Sequence, residues 1–132
     1  MTGSRGIPLV TKLGIRPATT LALLEVPDGL VGDLPPEVAV RTRAQGRADV
    51  VVACFVERAR FEARVERLGA MVFPAGGLWI AWPKRASGVT TDMNEDVVRE
   101  VALPLGLVDN KVCAIDETWS GLRMVWRRER RG

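Results

Sequence analysis

Apolar residues fall along this chain in two kinds of block, and their spacing separates strands from helices. Residues 21–26 (LALLEV) are apolar except for Glu25, and residues 49–56 (DVVVACFV) run without a break after Asp49. Short runs with no polar alternation predict strands covered on both faces, as in a parallel sheet. Over residues 57–72 the rhythm changes to Phe61, Val65, Leu68 and Val72. That spacing draws one apolar stripe along a helix, with Arg60, Glu62, Arg64, Glu66 and Arg67 on its other faces. Pro74-Ala75-Gly76-Gly77 breaks the helix, and residues 78–82 (LWIAW) form the next strand. Met93, Val97, Val98 and Val101 then make a second helical face. Asp92 and Glu95 stand at capping-box spacing before it, with Asp92 as the expected N-cap. Residues 107–115 and 122–127 read as two more strands. The short polar linker between them, residues 116–121, predicts an antiparallel hairpin rather than a crossover.

The first third of the chain is less regular. Residues 1–6 read as a loose start, and residues 7–13 as a short helix with Pro8 in its first turn and Gly14 after its end. Pro27-Asp28-Gly29 marks a turn after the first strand. A short helix is expected at residues 30–34, stopped by Pro35-Pro36, and a short strand at residues 38–41. No internal repeat is visible. Strands and helices alternate, so the expected fold is α/β: a mainly parallel Rossmann-like sheet with helices on both faces and a C-terminal antiparallel hairpin. Residues 1–126 make one domain, and residues 127–132 a basic tail.

Charge narrows the possible partners once it is located. The net charge of +3 is carried by the tail, where Arg127, Arg128, Arg130 and Arg131 outnumber Glu129. Residues 1–126 hold 15 basic and 15 acidic side chains, so no basic stripe marks a nucleic-acid binder. The tail reads as a solvated end or as a weak phosphate contact. The chain has no histidine, which removes the commonest metal ligand and general base. Cys54 and Cys113 sit in apolar runs as small buried residues do, and two separated cysteines cannot hold zinc. No metal site and no cofactor are expected. With no signal sequence and no membrane-spanning run, the reading is a bacterial cytoplasmic protein without membrane or nucleic-acid partners.

Residues 49–83 resemble the middle of a class I S-adenosylmethionine-dependent methyltransferase domain, here in a shortened form. The resemblance rests on an acidic residue before an apolar strand (Asp49), a helix, the Pro-x-Gly-Gly turn at residues 74–77, and a second apolar strand. In that fold a glycine-rich turn after the first strand lets the backbone approach S-adenosylmethionine. The corresponding turn here, Pro27-Asp28-Gly29, has one glycine and a proline. The acidic residue that would hold the ribose is not evident near Arg41. The resemblance therefore implies a kept scaffold without the cofactor site. Over nearly its full length the chain also resembles an uncharacterised bacterial "domain of unknown function" family (three-zero-five-two). The matching runs are residues 7–15 (IPLVTKLGI), 82–92 (WPKRASGVTTD) and 112–123 (VCAIDETWSGLR). That family supplies no catalytic residues.

Candidate chemistry collects in two polar loops. Residues 84–92 follow the carboxyl end of a predicted strand and precede a helix, the edge where open α/β sheets bind ligands. Lys84 and Arg85 supply charge; Ser87, Thr91 and Asp92 supply polar groups; Gly88 permits close backbone approach to an anion. The pattern GxxxxGK[ST] is absent, so the loop is not a P-loop. It is otherwise an ordinary surface loop with a capped helix. The second loop offers Asp116, Glu117 and, beyond it, Arg123. Its carboxylates are a candidate general base or simply solubilising. Trp82 and Trp119 flank the two loops as pocket walls or as core edges, whereas Trp79 and Trp126 lie in apolar runs. Glu25 sits at an exposed strand end or, if buried, pairs with Arg123 or Arg16. No nucleophile motif is present.

The leading expectation is a non-catalytic, degenerate methyltransferase-like domain that binds a small anionic ligand or a protein partner through residues 84–92. An enzyme acting on a phosphorylated or carboxylated metabolite through Lys84, Asp116 and Arg123 is the alternative. A homodimer or small interaction module is a third.

Overall fold

A computed structural model describes residues 7–131, and the expected loose start at residues 1–6 lies outside them. Among the described residues six strands form one sheet: β1 (Thr20–Leu24), β2 (Ala39–Arg41), β3 (Val50–Cys54), β4 (Gly77–Pro83), β5 (Leu107–Ala114) and β6 (Trp119–Trp126). Their spatial order is β2-β1-β3-β4-β6-β5. The first four are parallel; β6 runs antiparallel to both β4 and β5. Three α-helices of the described residues accompany the sheet: α1 (Leu9–Leu13), α2 (Arg58–Val72) and α3 (Glu95–Ala102). The mainly parallel sheet with a C-terminal antiparallel hairpin is the expected one.

Every residue of β3 and β4 is buried, which explains their unbroken apolar sequence. Successive side chains point to opposite faces. Ala22, Val51, Ile80 and Leu122 face α2 and α3 and pack with Phe61, Leu68 and Val98. Leu21, Val52 and Trp79 face the other way and pack with Leu13, Ile15 and Val31. The Trp79 indole N–H donates to the Leu13 carbonyl at 2.9 Å, so the largest fully buried side chain leaves no polar atom unpaired. The stripe read from residues 57–72 is the buried face of α2.

Three local expectations are corrected. Residues 30–34 form bends and irregular backbone rather than a helix. Gly29 and Gly32 take left-handed φ values of 78° and 80°, which a right-handed helix cannot include. The helix α3 starts at Glu95, and its N-cap is Asn94, whose side-chain oxygen accepts the Val97 N–H at 2.9 Å. Asp92 is drawn to a different helix. The last strand begins at Trp119, three residues before the apolar run suggests, because the ladder continues until Trp119 stands opposite Pro83.

Beyond β6 the chain turns back on the sheet. The Arg127 N–H donates to the Gly106 carbonyl at 3.0 Å, residues Arg128–Arg130 make a 3₁₀ turn, and Arg131 Nε donates to the Trp126 carbonyl at 2.9 Å. Among the described residues no helix is long and apolar enough to cross a membrane.

Candidate functional site

Parallel strands deliver their carboxyl ends to one rim. The antiparallel β6 brings the hairpin before it to that same rim, and the backbone joins the two polar loops there. The Lys84 N–H donates to the Thr118 carbonyl at 2.7 Å, and Lys84 Nζ donates to the Asp116 carbonyl at 2.6 Å. After Pro83 the chain makes a 3₁₀ turn, Arg85–Ser87. The Ser87 hydroxyl holds it by donating to the Lys84 carbonyl at 2.7 Å and accepting the Val89 N–H at 3.2 Å. Gly88 follows in the left-handed region at φ 80°.

The loop then crosses to α2. The Thr91 hydroxyl donates to the Val56 carbonyl and accepts the Met93 N–H. The Asp92 carboxylate accepts the Arg58 N–H at 2.7 Å. Arg58 opens α2, and the residue before it, Glu57, provides no side-chain cap. Asp92 therefore caps that helix from 34 positions away. A carboxylate there meets an unpaired N–H and the positive end of the helix dipole together.

Between this loop, the end of β4 and α3 lies a cleft of about 720 Å³, within the range of small-molecule sites. Trp82, Met93 and Ser120 form its inner surface, and Lys84 and Arg85 one wall. The facing wall is α3, with Glu95, Asp96 and Arg99. Arg99 hydrogen-bonds Glu95, reaches Asp109 at 3.2 Å and lies 3.7 Å from Asp96. The Glu95 hydrogen bond leads the effects that raise the Arg99 pKa above its ordinary value. One guanidinium thus serves three carboxylates, and Asp96 stays largely exposed. Arg85 is exposed and makes no ion pair or side-chain hydrogen bond among the described residues.

Of the residues singled out in the sequence, Lys84, Arg85 and Thr91 line the cleft. Ser87 and Gly88 shape its turn, and Asp92 ties the loop to α2. The Asp116 carboxylate folds the hairpin, accepting the Thr118 and Trp119 N–H groups at 2.8 and 2.7 Å. Trp82 is buried at the cleft, while Trp119 packs with Ile115 and Leu30 on the opposite face of the sheet. Arg123 lies four positions along β6 from Trp119, about 13 Å at the strand rise, opposite Trp79. On α3, Glu95 is expected only as a capping partner, and Asp96 and Arg99 carry no expectation. Their trace in the sequence is the acidic first turn and Arg99 four residues after Glu95.

Strand β1 carries the point where the sheet order reverses, with β2 on one side and β3 on the other. Ligands of open α/β sheets enter at such a point. Here Glu25 follows β1 with a left-handed φ of 57°. Its carboxylate accepts from Arg60 Nε at 2.7 and 2.8 Å and lies 3.7 Å from Arg64 Nε. Glu25 thus stands at an exposed strand end and pairs with α2, not with Arg123 or Arg16. Cys54 ends β3 nearby; burial first, then the charges of Asp116 and Glu25, push its thiol up to about 12. It is protonated and no nucleophile.

The fold has solved counterparts. Magnesium protoporphyrin IX methyltransferase from Synechocystis PCC 6803, with bound SAH, superposes with a TM-score of 0.60 at 14% identity, over 90% of this chain and 78% of that one. The DhpI–SAH complex gives 0.61 at 14% identity, over 92% and 83%. A SAM-dependent methyltransferase from Aquifex aeolicus gives 0.57 at 13% identity, over 89% and 87%. The fold is that of a Rossmann-like methyltransferase. No protein-family model matches the chain, and no curated protein matches its sequence. The likeness to the uncharacterised bacterial family therefore rests on its sequence runs alone.

The methyltransferase-like scaffold does not extend to a fitting adenosyl cradle. The turn after β1 carries Pro27, which has no backbone N–H to donate, and bends rather than a helix follow it. The connection to β2 therefore offers no helix N-terminus to a ligand. The end of β2 presents Arg41, Thr42 and Arg43 instead of an acid. The Arg41 guanidinium knits its own loop, donating to the Gln45 and Arg47 carbonyls at 3.2 and 3.0 Å. The residues present do not fit the adenosyl group.

Proposed function

We propose that this methyltransferase-like domain is non-catalytic and binds a small ligand in the cleft between residues 84–92 and α3. The ligand's anionic group meets Lys84 and Arg85. The observation that carries this reading is the charge distribution in the cleft. Arg99 engages Glu95 and Asp109 on the α3 side, whereas Arg85 lines the cleft with no ion pair among the described residues. Lys84 spends one N–H on the Asp116 carbonyl and keeps two for a ligand. Two features argue against an enzyme using Lys84, Asp116 and Arg123. The Asp116 carboxylate is held by the hairpin backbone, and Arg123 stands far along β6.

Amide chemical-shift mapping tests this. Titration with adenosine monophosphate and with citrate is expected to give saturable shifts at residues 84–96 for at least one of them. Arg85→Ala should weaken that binding about tenfold or more, the loss of one charge-assisted contact. Shifts scattered over the surface, or unchanged binding in R85A, contradict the reading.

A further inference from the structure

At the other end of the sheet, away from the cleft, a guanidinium is seated with nothing to hold. Arg123 points to the α1 face of β6, between Trp79 on β4 and Lys111 on β5. It lies across Gly77, the first residue of β4. A Cβ on Gly77 would stand 2.5 Å from Arg123 Nε and 2.7 Å from both Cζ and Nη2. Gly77 has no left-handed backbone to explain it, so its missing side chain serves as the floor of the guanidinium. A glycine inside a strand marks such close approach.

The guanidinium has five N–H donors, and among the described residues it makes no ion pair and no side-chain hydrogen bond. Among the described residues no buried side-chain nitrogen or oxygen lacks a partner, so the nitrogens of Arg123 keep contact with solvent. Burial first, then the charge of Arg131, lower its pKa below the ordinary arginine value. Lys111 stands beside it with one N–H on the Lys12 carbonyl at 3.0 Å. Arg131 is tethered through Nε to Trp126, which leaves both terminal nitrogens free. The ion pairs of the described residues involve α2, α3, the end of β1 and Asp109 of β5, and none includes Arg123, Lys111 or Arg131.

We infer that Arg123, with Lys111 and Arg131, forms a second anion site at the amino end of the sheet, suited to a phosphate group. Lys111 stands opposite Arg123 in the β5–β6 ladder, the charge of Arg131 acts on Arg123, and none of the three makes an ion pair among the described residues, while a planar fork lies open on a glycine floor. A tetrahedral oxyanion of charge two matches that arrangement, with two oxygens on the fork and the remaining charge met by the flanking side chains.

The test is titration of the full chain with inorganic phosphate at constant ionic strength, followed by amide shifts. Saturable shifts at Gly77, Lys111 and Arg123 are expected, weakened at least tenfold by Arg123→Gln and left intact by R85A. Arg123→Lys should recover part of the affinity but lose the preference for phosphate over chloride. R131Q, a change near the chain end, should weaken binding severalfold and guards against misfolding in the first variant. Repeating the titration with a nucleoside monophosphate separates free phosphate from a phosphate ester; tighter binding of either supports the site. Equal phosphate binding by R123Q and R131Q, or no saturable shift at these residues, overturns it.

Discussion

Replacing Asp92 with alanine removes the cap on α2 while leaving every residue of that helix in place. The Arg58 N–H then loses its 2.7 Å acceptor. A side-chain cap is worth about 1 kcal/mol, and a carboxylate at a helix N-terminus adds about 0.3–1 kcal/mol through the dipole. Asp92 is exposed, so a dipole contribution of about 0.5 kcal/mol, in the lower half of the range, applies, and the sum is about 1.5 kcal/mol. For a domain of 132 residues this lowers Tm by roughly 4–7 °C. Asp92→Asn keeps an acceptor and loses the charge, so its loss should be about 0.5 kcal/mol. Urea denaturation followed by circular dichroism measures both, with an unchanged m value as the sign that only stability moved. Asn94→Ala, which removes the cap of α3, serves as an internal standard at about 1 kcal/mol. If D92A unfolds at the wild-type midpoint while N94A does not, the long-range cap is wrong, and with it the tether that shapes the cleft.

Two further outcomes follow from single residues. Glu25 holds a left-handed backbone, which costs a non-glycine residue about 1–2 kcal/mol. Glu25→Gly and Glu25→Ala both remove the ion pairs, so the glycine variant should be the more stable by about that amount in the same denaturation assay. The Cys54 thiol stands at about 12 in the folded chain against an ordinary value of 9.0. Below pH 9 its contribution is fully present; between 9 and 12 the unfolded chain loses its proton first, so stability falls as pH rises. Between pH 8 and 10.5 the wild type should lose about 2 kcal/mol more than Cys54→Ala, and parallel pH profiles would contradict the buried-thiol assignment.

What the sequence revealed and what it concealed divide along a physical line. Burial on both faces leaves a continuous apolar run, so β3 and β4 were legible, and a one-sided helix leaves the stripe of Phe61, Val65, Leu68 and Val72. Lys84, Arg85 and Thr91 could be placed at the rim because a loop after a parallel strand must emerge there. Contacts between distant residues leave no such periodic trace. Asp92 carries the local signature of a cap, and only the folded chain shows that Asn94 takes that role while Asp92 serves α2. Arg123 follows a polar loop in sequence, yet strand geometry carries it away from the rim to Gly77. The pairing of Glu25 with Arg60 spans 35 positions and was equally hidden.

The reading as a whole depends on a methyltransferase-like scaffold that has given up its usual cofactor. Isothermal titration of the protein with S-adenosylmethionine, up to about a hundredfold above micromolar affinity, addresses this most directly. Absence of saturable heat is the predicted result. A micromolar dissociation constant, competed by SAH and accompanied by amide shifts at residues 25–34, would contradict it.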